Sequence, residues 1–72
     1  MKAYTVAYSM GFGLMEKHIS FPAKNKFDAY DIAAYDLIPK REGAHPYAVW
    51  VYSVTYGNGR EQRFNTFAGK RF

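Results

Sequence analysis

The chain contains no cysteine. That excludes a disulfide framework and a thiolate metal site, and it suits a reducing cytoplasm. No stretch approaches the roughly 20 consecutive apolar residues of a membrane-spanning helix. The opening run MKAYTVAYSM is interrupted by Tyr4, Thr5, Tyr8 and Ser9 and leads to no small-residue cleavage site, so it does not read as a secretion signal. A soluble cytoplasmic protein without membrane contact is expected. Acidic residues are scarce, six against ten Lys and Arg, which leaves a formal charge of +4. There is no internal repeat and no low-complexity segment.

Motifs for chemistry are also missing. His18 and His45 occur in no HxH or HxxxH pattern, and metal ligation wants clustered donors at fixed spacing. General acid–base work by either histidine would need partners that the sequence does not gather. MGFGLM lacks the Gly-Lys-Ser/Thr ending of a phosphate loop and does not open a helix; a hairpin turn explains it. Asp28, Asp31 and Asp36 serve helix capping and solubility rather than a metal. No cofactor and no metal site are expected, and the chain does not read as an enzyme.

What is present is aromatic. Phe, Trp and Tyr make up 19% of 72 residues, with seven tyrosines. A chain this short forms one domain, 1–72, and buries only about 60% of its unfolded surface, so large rings matter to its core. Surplus tyrosine suits a recognition surface.

The clearest local signal runs from Pro46 to Phe67. Trp50, Val51, Tyr52, Val54, Thr55 and Tyr56 favour a strand. Gly57-Asn58-Gly59 supplies the positive-φ positions of a tight turn, and a fourth strand returns from Arg60 to Phe67. Earlier, Tyr4, Val6, Tyr8 and Met10 alternate with Ala3, Thr5, Ala7 and Ser9, the period of a half-buried strand. Gly11-Phe12-Gly13 makes a turn. Leu14 to Ala23 forms a second strand, with Met15, Ile19 and Phe21 on one face and Glu16, His18 and Ser20 on the other. Lys17 falls on the apolar side, as expected near a strand end or with a snorkelling stem.

Asn25 opens a helix as N-cap, with Asp28 three residues on. Phe27, Ala29, Tyr30, Ala33, Ala34, Leu37 and Ile38 share one side of it, and Pro39 is expected to end it. The order β-β-α-β-β predicts an α+β domain, a four-stranded antiparallel sheet with one helix packed on one face. Trp50, Tyr52 and Val54 are favoured to pack on the helix over the Val49, Val51 and Ser53 set, a choice that a one-residue slip reverses. The other face has nothing in the chain to cover it, which points to a dimer, a partner or a ligand.

Charge is unevenly spread. Residues 1–26 and 60–72 are each +3 and residues 27–42 are −2. Arg60, Arg63, Lys70 and Arg71, among Tyr56, Phe64 and Phe67, form the best candidate binding set, with His18 on the uncovered face. Cations beside exposed rings suit single-stranded nucleic acid, and an aromatic–Arg surface suits a protein. Edge strands also carry such charges simply to prevent aggregation.

The strand KAYTVAY, the junction ISFPAKNKFDAYDIAA and the hairpin VWVYSVTYGNGREQRF give a layout that resembles small proteins encoded by phages and other mobile elements. Some proteins of this style are anti-CRISPR or other anti-defence inhibitors, and the resemblance implies action without chemistry, by occupying the surface of a host defence nuclease complex. The positive charge departs from inhibitors that imitate DNA with acidic surfaces. The leading expectation is a non-enzymatic binding protein with a protein partner. A basic nucleic-acid-binding accessory protein is the alternative, and a small toxin-like ribonuclease using His18 or His45 ranks last.

Overall fold

The computed structural model describes residues 2–11, 13–57 and 59–68. Strands β1 (Lys2–Ser9), β2 (Lys17–Ala23), β3 (Trp50–Tyr56) and β4 (Arg60–Phe67) form one antiparallel sheet in the order β2-β1-β3-β4. Between β2 and β3 runs a rod of 17 residues. It comprises helix α1 (Lys26–Ile32), a π-helical turn (Ala33–Leu37) and helix α2 (Ile38–Glu42). The fold is therefore the expected β-β-α-β-β, with the helix packed on one face. No helix among the described residues is long and apolar enough to cross a membrane.

The helix begins where its cap chemistry places it. Asn25 Oδ1 accepts from the Asp28 amide at 2.9 Å, and Asp28 Oδ2 accepts from the Lys24 amide at 3.0 Å. The two side chains reciprocally satisfy backbone donors at the helix start. Pro39 does not end the helix. The π turn just before it moves the backbone bonding to i→i−5, so that the Ile38 amide reaches the Ala33 carbonyl. A widened turn spares the carbonyl against which a proline ring ordinarily clashes. The rod stops at Gly43 instead, whose φ of 64° is the left-handed conformation that glycine adopts without penalty.

Tyr4, Val6 and Tyr8 of β1 meet Ala29, Tyr30, Ala33, Ala34 and Ile38 in the core, joined by Val49, Val51 and Val54. The helical alanines let the rod lie close to the sheet, and Tyr8 and Tyr30 fill the space between. Lys17, first residue of β2, stands on this side and reaches past the core to Glu42 at 2.9 Å, as its place near a strand end predicts.

Strand 3 departs from both expected alternatives. Val6 pairs with Val54 and Ala7 with Ser53, but Tyr8 pairs with Val51, leaving Tyr52 as an extra residue. β4 carries a further extra residue opposite the same point: Val51 pairs with Thr66 and Ser53 with Arg63. Asn65, within that interval, has φ 46°. A bulge breaks the two-residue alternation and strengthens local twist. Val54 therefore faces the helix, as favoured, while Val51, not Tyr52, takes the next core position. Trp50 and Tyr52 are not part of the helix-facing core.

Two element boundaries also differ. Leu14, Met15 and Glu16 precede β2, and Met15 is 80% exposed rather than packed. Pro46–Ala48 forms a 3₁₀ turn ahead of β3, with His45 Nδ1 accepting from the Tyr47 amide at 3.2 Å and the two rings stacked at 4.7 Å. The β3–β4 turn uses Gly57 at φ 52° and Gly59 at φ 104° as expected. Phe12, Asn58 and the tail from Gly69 to Phe72 lie outside the described residues.

Candidate binding surfaces

Strand pairing assigns the face turned away from the helix, uncovered by any described helix or strand, rung by rung. One rung runs Ser20, Thr5, Thr55, Glu61; the next runs His18, Ala7, Ser53, Arg63; the third joins Ser9, Trp50 and Phe67. Thr5 and Ser20 are hydrogen bonded at 2.8 Å. Ala7 (7% exposed) and Ser53 (4%) are small and sunken at the middle of the second rung, while His18 and Arg63 rise on the outer strands. The second rung is thus lowest at its centre.

Its third rung is aromatic. The Trp50 ring meets Phe67 edge-on at 4.8 Å and 81°, and Tyr52 at 6.3 Å and 70°. Buried Ser9 donates to the Gly11 carbonyl at 2.6 Å, and its Oγ lies 3.4 Å from the Tyr52 hydroxyl. The bulge creates this corner, because regular alternation would have sent Trp50 and Tyr52 to the same side as Val54.

The arginine on this face comes with a counter-ion. Arg63 lies 3.4 Å from Glu61, and the His18 ring lies 2.9 Å from the Glu16 carboxylate. Surface pairs of this kind add little stability, but Glu61 offsets the Arg63 charge. The uncovered face is therefore aromatic and near-neutral, not the basic surface that Arg63 and His18 suggest by themselves.

The expected binding set is consequently divided. Arg63, Phe67 and His18 share the uncovered face. Phe64 belongs to the opposite side, with its ring 4.5 Å from Tyr30 and 6.4 Å from Phe27, so it supports the helix. Arg60 pairs across from Tyr56 and lines a separate cleft. Lys70 and Arg71 lie outside the described residues.

That cleft, of about 550 Å³, opens between the start of α1 and the β3–β4 hairpin. Tyr4, Val54 and Tyr56 supply its apolar surface; Asn25, Lys26, Arg60, Glu61 and Gln62 supply its polar one. The Tyr4 and Tyr56 rings lie 5.2 Å apart, and the Lys2 ammonium sits 5.3 Å from the Tyr56 ring centre. Arg60 and Tyr56 stand in the expected binding set, but their grouping with Tyr4, Asn25 and Lys26 is not legible in the sequence. The cleft's residues come from four separate segments, and only the assembled sheet and helix bring them together.

A third polar group lies at the far end of the helix. Glu42 accepts from Lys17 at 2.9 Å and from the Tyr8 hydroxyl at 3.0 Å. These two hydrogen bonds, Lys17 first, hold its carboxyl below the ordinary glutamate range. Burial, followed by the bond to Glu42, pushes the Tyr8 hydroxyl upward. The arrangement fixes the helix end to β1 and β2. Among the described residues, no group of three or more His, Asp or Glu side chains is placed to hold a metal ion.

Comparison of the chain with protein-family models, curated proteins and solved structures gives no match.

Proposed function

We propose that this is a non-enzymatic binding protein that occupies a partner protein through the uncovered face of its sheet. The observation that supports the reading is the corner of Trp50, Tyr52 and Phe67 beside an arginine already paired with Glu61. Aromatic groups and an arginine on a surface of low net field match protein interface cores. A nucleic-acid surface instead needs cations free to neutralise phosphates. The sunken line through Ala7 and Ser53 would receive a partner's protruding segment, with Arg63 and His18 at its flanks.

Within this reading, the resemblance to small phage and mobile-element proteins favours an inhibitor that covers a site on a host defence complex, working in the cytoplasm and without a cofactor. Affinity capture from a nuclease-treated host lysate tests the surface. Native protein should retain a protein that Arg63→Glu and Phe67→Ala both lose, with circular dichroism unchanged for Arg63→Glu, whose side chain is 70% exposed. Equal capture by native protein and both variants would reject the surface, as would capture that disappears on nuclease treatment.

A further inference from the structure

We infer that the cleft between the start of α1 and the β3–β4 hairpin is a nucleotide-binding site, one that accepts a phosphate together with its base. It lies apart from the uncovered sheet face and does not depend on the protein-partner reading. Three features carry the inference: volume, ring and charge.

The cleft's volume of about 550 Å³ falls within the range of small-molecule sites, roughly 300–1,000 Å³. Tyr56 stands at its rim, 39% exposed and backed by Tyr4. Such a ring offers a stacking surface to a base that displaces the Lys2 ammonium from over it. Lys2 stands over that ring, Arg60 is the cross-strand partner of Tyr56, and Lys26, whose ammonium lies 5.5 Å from the Phe27 ring centre, lines the cleft with Arg60. None of the three makes an ion pair among the described residues, where the ion pairs join Lys17, His18, Lys40 and Arg63 to carboxylates. Glu61 is the one carboxylate lining the cleft, and it is paired with Arg63.

The molecule thus separates its cations by task. Arg63 on the uncovered face has a carboxylate partner, whereas Lys2, Lys26 and Arg60 have none among the described residues. Ammonium and guanidinium groups beside a tyrosine suit a phosphate flanked by a base, because phosphate takes charge-assisted hydrogen bonds while the ring takes the base. A free nucleotide and a nucleotide within a single strand share that chemistry.

The test measures fluorescence anisotropy with a labelled thymidine oligomer of about ten nucleotides, near the span of a small single-strand site, and backbone amide NMR shifts with free adenosine monophosphate. The full chain is used throughout. Binding of either probe is expected to move the amides of Lys26, Tyr56 and Arg60. For the strand, the double variant Lys26→Ala/Arg60→Ala should lower the slope of log affinity against log salt by about 1.4, the share of two single-strand phosphate contacts. Tyr56→Leu, which keeps apolar bulk but removes the ring, should weaken binding about tenfold or more. Lys40→Ala, which removes a cation at the far end of the helix, should bind as the native chain does. No binding of either probe at low salt would overturn the inference. So would native-like affinity in the double variant, or an equal loss with Lys40→Ala.

Discussion

Replacing Asn65 by valine tests the bulge that sets both faces of the sheet. Asn65 lies within β4 and is exposed, yet its φ is 46°. In a regular strand, exchanging asparagine for a β-branched residue is favourable by up to about 1 kcal/mol. In the left-handed region the sign reverses. Placing an ordinary L-residue there costs about 1–2 kcal/mol, asparagine is among the better tolerated, and β-branched residues are the worst placed. With no buried contact to lose, Asn65→Val should destabilise the domain by about 1–2 kcal/mol, which in a chain of this size lowers the thermal midpoint by about 5–15 °C. Asn65→Gly should lie within about 0.5 kcal/mol of native, since relief of the backbone offsets the entropy cost of glycine. Thermal unfolding followed by far-ultraviolet circular dichroism at neutral pH gives both values. Near-ultraviolet spectra report in parallel on Trp50, whose edge contacts with Phe67 and Tyr52 lie beside the bulge. A midpoint that rises with valine would show a regular strand at this position and refute the bulge-based assignment of the two faces.

Glu42 and Tyr8 make stability depend on pH at both extremes. The Glu42 carboxyl is held below its ordinary value of 4.5, so the unfolded chain binds more protons near that pH; its contribution is complete above about 4.5 and is lost as pH falls through the depressed folded value. Denaturant titrations across acid pH should show a flatter decline for Glu42→Gln, and an unchanged slope would remove Glu42 from the account. The Tyr8 hydroxyl is raised above its ordinary value of 10.0, so its contribution is complete below that value and is lost as pH rises through the raised folded one; Tyr8→Phe should flatten the alkaline decline while costing about 1 kcal/mol at neutral pH. Asn25→Ala removes the helix cap and should cost about 1 kcal/mol in urea unfolding; a loss under a few tenths would mean that Asp28 and solvent satisfy the helix start without it.

The elements that depend on local chemistry were legible in the sequence. Alternation from Lys2 to Ser9, the Asn25 cap, the spacing of Ala29, Tyr30, Ala33 and Ala34, and the glycine turn after Tyr56 each carry their own signal, and each is where the pattern places it. What escaped depends on partners distant in sequence. The bulge at Tyr52 exists only against β1 and β4, and no property of Trp50 or Tyr52 announces a break in alternation. Pro39 carries a strong stop signal, yet the π turn before it lets the helix continue to Glu42. For the candidate surfaces, Arg63, Phe67 and His18 were legible as one set because strand parity places them together. Phe64 and Arg60 were not, because each lies on the opposite side of β4 from Arg63. The pairing of Arg63 with Glu61 and His18 with Glu16, which alters the chemistry of the face, follows from side-chain placement rather than from composition.

The two rims of the sheet differ from a repeating template. β2 forms one rim and holds Pro22, which has no amide hydrogen to offer an added strand; β4 forms the other and is kinked at Asn65. Proline and kinks at rims disfavour endless strand-by-strand growth. A small chain can then keep rings such as Trp50 and Phe67 outside its core without seeding fibres of its own copies.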